Sequence, residues 1–272
     1  MSATTLTRTA APTIRLSSAG IIRSEWIKLR TVRATVWSYA IVVLVSIGLA
    51  ALMASTIDLQ NSGPIPPEAH AQVVLQASTF GVSFGQLVVS VLGVLVISGE
   101  YSTGMIRSTL TAVPRRLPAL WAKAAVLFVA TFLVGLVSVF SAYGVSAPIL
   151  AAKGIESSLV DDGVLLALLG GALYLALIAV FALAVGTMLR NSAGGIATAL
   201  GTILILPTVL QLIPATWARD ASPFLLSNAG SSLFSLPSSG AALEPWQALL
   251  VVVAWVAASL AAAAVLLKRR DA

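Results

Sequence analysis

Charge is scarce in this sequence. Asp, Glu, Lys and Arg make up 10% of its 272 residues, against 58% hydrophobic residues and a mean hydropathy of +0.98. A soluble domain carries roughly 25% charge to cover its surface. Too little polar matter remains here to face water, so most of the surface faces lipid. Cysteine is absent, which excludes disulfides and thiolate chemistry and leaves the redox compartment unreadable. A single histidine, His70, excludes a His-rich metal site within one chain. No G-x-x-x-x-G-K-[ST] run occurs, so the chain cannot itself be a P-loop ATPase. Residues 1–20 are rich in Ser, Thr and Ala but lack the apolar core of a secretory signal. They read as a disordered cytoplasmic tail, a composition that a mitochondrial or plastid presequence shares.

What is present is a series of long apolar runs. Six segments of at least about 18 residues stand out, near 36–57, 73–98, 120–148, 163–189, 195–214 and 246–267. The fifth is interrupted by Pro207 and ended by Pro214, and a membrane helix tolerates such a proline where neighbours satisfy the freed carbonyl. The expected fold is an all-α integral membrane protein with about six transmembrane helices and a single transmembrane domain over residues 21–272.

The sparse charges divide between the two sides of that domain. Even-numbered spans place 14 of the 16 basic residues, Arg8 to Arg270, on the side of both termini, with only Glu25, Glu100 and Asp271 as acids. The other side holds Lys153 and Arg219 against Asp58, Glu68, Glu156, Asp161, Asp162, Asp220 and Glu244. The positive-inside rule then puts both termini in the cytoplasm. The basic residues lie in short runs between apolar stretches, a topology signal rather than the single basic face that nucleic acid would require.

No span centre contains Asp, Glu, Lys or Arg. Gln86, Tyr143, Gln211 and scattered Ser and Thr are the polar side chains there. Ion-coupled carriers keep charge at membrane depth, so any driving force is expected from outside the bilayer.

Three segments carry further expectations. In residues 21–33, Ile22, Trp26 and Leu29 recur at i, i+4 and i+7, with Arg23, Lys28 and Arg30 off that stripe and Glu25 among them. The pattern predicts an amphipathic interface helix, Trp26 at headgroup level and the basic residues toward anionic lipid; a plain basic flank orienting the first span is the alternative. In residues 99–118, Ser102 suits an N-cap, and Met105, Ile106, Leu110 and Val113 line one face of a short helix. Pro114 stops that helix and Pro118 suits the first turn of the third span. Glu100 either pairs with Arg107 or Arg115 or belongs to a docking element for a soluble motor. Residues 215–245 hold Trp217, Pro223, Phe224, Leu225, Leu226, Phe234 and Pro237. That is too apolar for a solvated loop and too broken for a span, so short re-entrant or interfacial helices are expected, with a loop on the headgroups as the alternative.

Two further patterns imitate catalytic or metal sites. Gly81-Val-Ser83-Phe-Gly85 matches the G-x-S-x-G nucleophile elbow, which needs a strand-to-helix turn and a following Asp and His. Here it lies inside a span, so its glycines serve helix packing instead. His70 near Glu68 is one outer-loop pair, too few ligands for a metal.

Taken in order, these features resemble the ABC-2 type permeases, the membrane subunits of one class of ABC exporter. Ser24-Glu-Trp-Ile-Lys-Leu-Arg-Thr31 resembles that family's N-terminal interface helix, most of all in its actinobacterial members. Glu100-Tyr101-Ser-Thr-Gly104-Met105-Ile106-Arg107, with Leu110 and Pro114-Arg115-Arg116, is similar to the E-x-x-x-G-T-x-R stretch after the second span, departing from it at Met105. Pro223-Phe-Leu-Leu-Ser-Asn-Ala-Gly230 resembles the outer segment before the last span. The resemblance implies a permease in the plasma membrane that pairs with a second permease chain, identical or not. It implies docking on a cytoplasmic P-loop ATPase through residues 99–118, with ATP and Mg bound by that partner and no cofactor in this chain. A path lined by small and apolar residues suits a hydrophobic or amphipathic substrate. An ion-coupled carrier and a non-transporting scaffold or sensor remain the alternatives.

Overall fold

The computed structural model describes residues 18–57, 65–102, 104, 116–236 and 242–269. All regular structure among them is helical. A helix satisfies its own peptide groups, which hydrocarbon cannot do, and the apolar runs become helices for that reason. Six of these are long and apolar enough to cross a membrane: α2 (Arg33–Thr56), α3 (Pro67–Ser102), α4 (Arg116–Ala151), α5 (Val164–Leu189), α6 (Ser192–Leu212) and α9 (Pro245–Arg269). The chain is a polytopic membrane protein. Ahead of the first span lies α1 (Ser18–Thr31), and between the last two lie α7 (Thr216–Ala221), a 3₁₀ turn (Ser222–Phe224) and α8 (Leu226–Leu233). Short helices thus run from Thr216 to Leu233 within the 215–245 segment; residues 237–241 lie outside the described set.

The apolar pattern tells which helix is central. The sequence of α5 is apolar on every side, as suits a helix surrounded by others, and residues from Gly171 to Thr187 are buried with Leu173 the exception. α3 and α4 flank it, α2 packs across both, and α9 closes one side. A close approach in the bundle is made by Gly93 of α3, where an added Cβ would collide with the Ala179 carbonyl of α5. Gly81 lies against the Ser46 backbone of α2 with the same lack of room. The G-x-S-x-G run is thus a packing surface on the face of α3, as expected for small residues in bilayers. Its would-be histidine, His70, is the fourth residue of α3, and its Nε2 donates to the Ile65 carbonyl at 3.1 Å.

Polar side chains in the spans tie helix to helix. Tyr174 donates to Gln86 Oε1 at 2.5 Å, Ser78 and Ser146 share a bond of 2.9 Å, and Tyr39 and Thr131 another of 2.9 Å. Gln86 is therefore a structural crosslink between α3 and α5. Pro207 does not end the fifth span. The helix widens over Gly201–Ile205 into a π turn, in which the Leu206 N–H bonds to the Gly201 carbonyl, and α6 continues to Leu212. This adjustment re-houses backbone groups that proline would leave unmatched.

At the end of the bundle opposite the termini, Lys153 follows α4 and reaches the exposed carbonyls at the end of α2. Its Nζ donates to Ala54, Ser55 and Ile57 at 2.9, 2.7 and 2.8 Å. A cation here meets both unsatisfied carbonyls and the negative end of the helix dipole. Lys153→Met should lower stability by about 1–2 kcal/mol, read as a reduced midpoint in thermal unfolding in detergent; Lys153→Arg should retain most of it.

Candidate functional site

Near the end of the bundle that carries most of the basic residues, four charged side chains from three helices form one cluster. Glu25 and Lys28 come from α1, Glu100 from the last turn of α3, and Lys123 from the start of α4. Glu25, Glu100 and Lys123 are only 5, 7 and 5% exposed. Lys123 Nζ donates to Glu25 Oε2 at 2.5 Å and to Glu100 Oε1 at 2.9 Å. Lys28 Nζ donates to Glu25 Oε1 at 2.7 Å and to the same Glu100 oxygen at 3.1 Å. Two carboxylates and two ammonium groups thus alternate around a nearly neutral ring.

Neutrality explains why burial is tolerated. A lone buried charge costs several kcal/mol, whereas a paired and hydrogen-bonded set offsets most of that. Burial by itself would raise the Glu25 carboxyl, but the Lys123 ammonium and its hydrogen bond, with Lys28, outweigh this and hold it below the usual range. Burial likewise would lower Lys28, yet its hydrogen bonds and attraction to Glu25 and Glu100 raise it. The cluster ties α1, α3 and α4 together at one point.

The arrangement revises the expected place of Lys28 on α1. Leu29 packs against the core and Trp26 is half-buried, but Ile22 is exposed, as are Ile27, Arg23 and Arg30. Lys28, expected toward lipid, joins the cluster. Glu25 draws its own face of the helix inward, while Ile22 of the i, i+4, i+7 stripe stays exposed, where an interface helix would meet lipid. Glu100 is matched by Lys28 and Lys123. Arg107 and Arg115, its expected partners, lie outside the described residues together with Met105, Ile106 and Leu110. Lys123 entered the sequence reading only as one of many basic residues. Its sole signal there was a charge set five residues beyond Pro118, inside an apolar run.

Two neighbours complete the region. Tyr101 lies under the Arg190 guanidinium, 5.3 Å from its ring centre. Arg190 itself takes a left-handed conformation that ends α5, and Asn191 caps α6 by accepting from the Gly194 N–H at 2.9 Å. Gly104 has φ +72°, with its N–H bonded to the Tyr101 carbonyl at 3.3 Å. A left-handed residue just beyond a helix ends it at least cost when it is glycine. The spacing from Glu100 to Gly104 therefore sets the acid in the last turn and the left-handed residue just beyond the helix. Pro118 falls in the first turn of α4, as expected.

Residues 21–208 match the family model described as "ABC-2 family transporter protein". The chain belongs to that family. The match takes in α1 from Ile21, the first four spans and the fifth as far as Thr208, and therefore all four members of the charged cluster. No curated protein matches the chain closely enough to report as a relative. As an ABC-2 transporter protein it is a membrane component of a transport system.

Two outcomes follow from the cluster. Because the Glu25 pKa is depressed, its contribution is present above the ordinary value of 4.5 and is lost as pH falls through its lower folded value; because Lys28 is raised, its contribution is present below 10.5 and is lost only as pH rises through its higher folded value. Hydrogen exchange of α1, corrected for intrinsic rate, should therefore stay protected from pH 5 to pH 9 and open below about pH 4.5. Opening between pH 5 and 7 would contradict this assignment. Lys123→Met leaves two carboxylates sharing one ammonium and should cost about 3–5 kcal/mol, measured by denaturant or thermal unfolding in detergent.

Proposed function

We propose that this chain is the membrane-spanning subunit of an ATP-driven exporter, in which a separate P-loop ATPase supplies the energy. In this reading the basic end faces the cytoplasm of a cell that carries the protein in its plasma membrane, and ATP and Mg reside on the partner. The observation that carries the proposal is the buried cluster that joins Glu100 to α1 and α4. Glu100 stands at the start of the 99–118 segment, whose sequence resembles the family's ATPase-coupling segment. A push on that loop is delivered through Glu100 to Lys28 and Lys123, so α1 and the ends of α3 and α4 respond as one body.

A second permease chain, identical or not, fits the outward face of α3. Gln76 and Ser83 are exposed there beside Phe80 and Phe84, although α3 is apolar enough to span. Hydrogen-bonding groups gain nothing from lipid, so this face suits a partner chain or a substrate path. A cavity of about 370 Å³ lined by Gln72, Gln76, Thr79, Ser83 and Phe234 adjoins it. Amides beside aromatic rings suit an amphipathic substrate.

The test is a mild-detergent pull-down from the native membrane, with partners identified by mass spectrometry. A soluble P-loop ATPase near one-to-one is expected. Glu100→Ala should leave insertion intact while ATP hydrolysis no longer drives transport, a loss of at least about tenfold in transport per ATP for a coupling energy of 1.4 kcal/mol. A chain recovered alone under conditions that preserve an ABC complex, or transport unchanged in Glu100→Ala, would overturn the proposal.

A further inference from the structure

A second feature of the same end of the bundle is not needed for coupling. A cavity of about 450 Å³ lies between α1, α2, α3 and α4. Its walls are Leu29, Val32, Leu92, Leu95, Val96 and Val126, and its polar edge is the charged cluster. The four ion-pair contacts use both oxygens of Glu25 but only Oε1 of Glu100. Glu100 Oε2 is buried and meets no donor among the described residues. A buried carboxylate oxygen without a donor is costly, and this one belongs to a side chain lining the cavity.

The height of the cavity is marked by tryptophans. Trp37, two residues beyond the lining residue Thr35, and Trp121, two residues before Lys123, are 67 and 50% exposed. Exposed tryptophans at the ends of spans sit at the headgroup level. Thr31 and Val32, which line the cavity, are flanked in the chain by the exposed Arg30 and Arg33. An apolar groove, a buried acceptor and exposed cations thus meet at one depth.

We infer that this cavity holds one phospholipid of the adjoining leaflet, whose headgroup carries a hydrogen-bond donor. The acyl chain lies along Leu92, Leu95, Val96 and Val126. The headgroup donates to Glu100 Oε2, and the phosphate meets the basic residues beside the mouth. A zwitterionic headgroup with a primary ammonium adds no net charge to the neutral cluster. A choline headgroup has the same net charge but no N–H or O–H to donate, so Glu100 discriminates between the two. This inference stands independently of the transport reading, since it concerns what completes the cluster and not what the chain moves.

The experiment is native mass spectrometry of the full chain, with whatever subunits accompany it. The protein is equilibrated with equal amounts of phosphatidylethanolamine and phosphatidylcholine of identical acyl chains. Wild type should retain one phosphatidylethanolamine per chain at about tenfold over phosphatidylcholine, the scale of one hydrogen bond to a charged group. In Glu100→Gln the amide oxygen stays with the two lysines and its NH₂ group takes the place of Oε2, so the preference should fall to near unity. Leu95→Trp fills the groove from a partly exposed position away from the charges, and retention of either lipid should drop several-fold. Equal retention of the two lipids by wild type, or undiminished phosphatidylethanolamine in Leu95→Trp, would overturn the inference.

Discussion

In hydrocarbon a peptide group must find its hydrogen bond within the protein, and this constraint orders the whole molecule. It makes every described span a helix. It also explains the departures from regular helix. The π turn before Pro207 re-pairs backbone that the proline would strand, and Lys153 gathers carbonyls at the end of α2 that have no partner in their own helix. Where 215–236 breaks into short helices, α8 stays buried against α5 and α9, and Asn228 bonds both the Ser222 carbonyl and its hydroxyl at 2.9 Å. Trp255 of α9 donates to the Phe224 carbonyl at 3.0 Å and pins the same region from the other side.

Once the backbone is satisfied, side chains decide which helices meet. Apolar faces are nearly interchangeable in a bilayer, because lipid tails are as apolar as leucine. Specific contact falls to glycines that permit close approach and to a few polar atoms. Gly93 and Gly81 set the approach of α3 to α5 and α2, and Gln86 with Tyr174 fixes the rotation of α3 against α5. The charged cluster does the same for α1. Buried ion pairs are weak sources of stability but exacting in geometry. That property suits a junction whose purpose is to hold one helix in register with two others.

Much of this was legible in the residues. The six spans follow from apolar runs long enough to cross a bilayer, and their observed limits differ from the expected ones by a few residues at most ends. The helix over 21–33 and the turn signalled by Pro118 were equally plain, because both depend on neighbours in sequence. The partners of Glu100 were not. Sequence proximity favours Arg107, whereas the described contacts are Lys123, 23 residues away, and Lys28, 72 residues away. Nothing in the local pattern around Lys123 separates a buried ammonium from an ordinary flanking charge.

The sequence by itself determined the class, the number of spans, the segregation of charge between the two ends and the family to which the chain belongs. These depend on length, composition and order along the chain, quantities that folding does not alter. Only the tertiary structure decided which face of α1 turns inward, which acid meets which base, and that the charged cluster borders an apolar cavity. Such pairings depend on the rotation and depth of each helix relative to its neighbours. In helices that are apolar all round, such as α5, no periodicity in the sequence records either one.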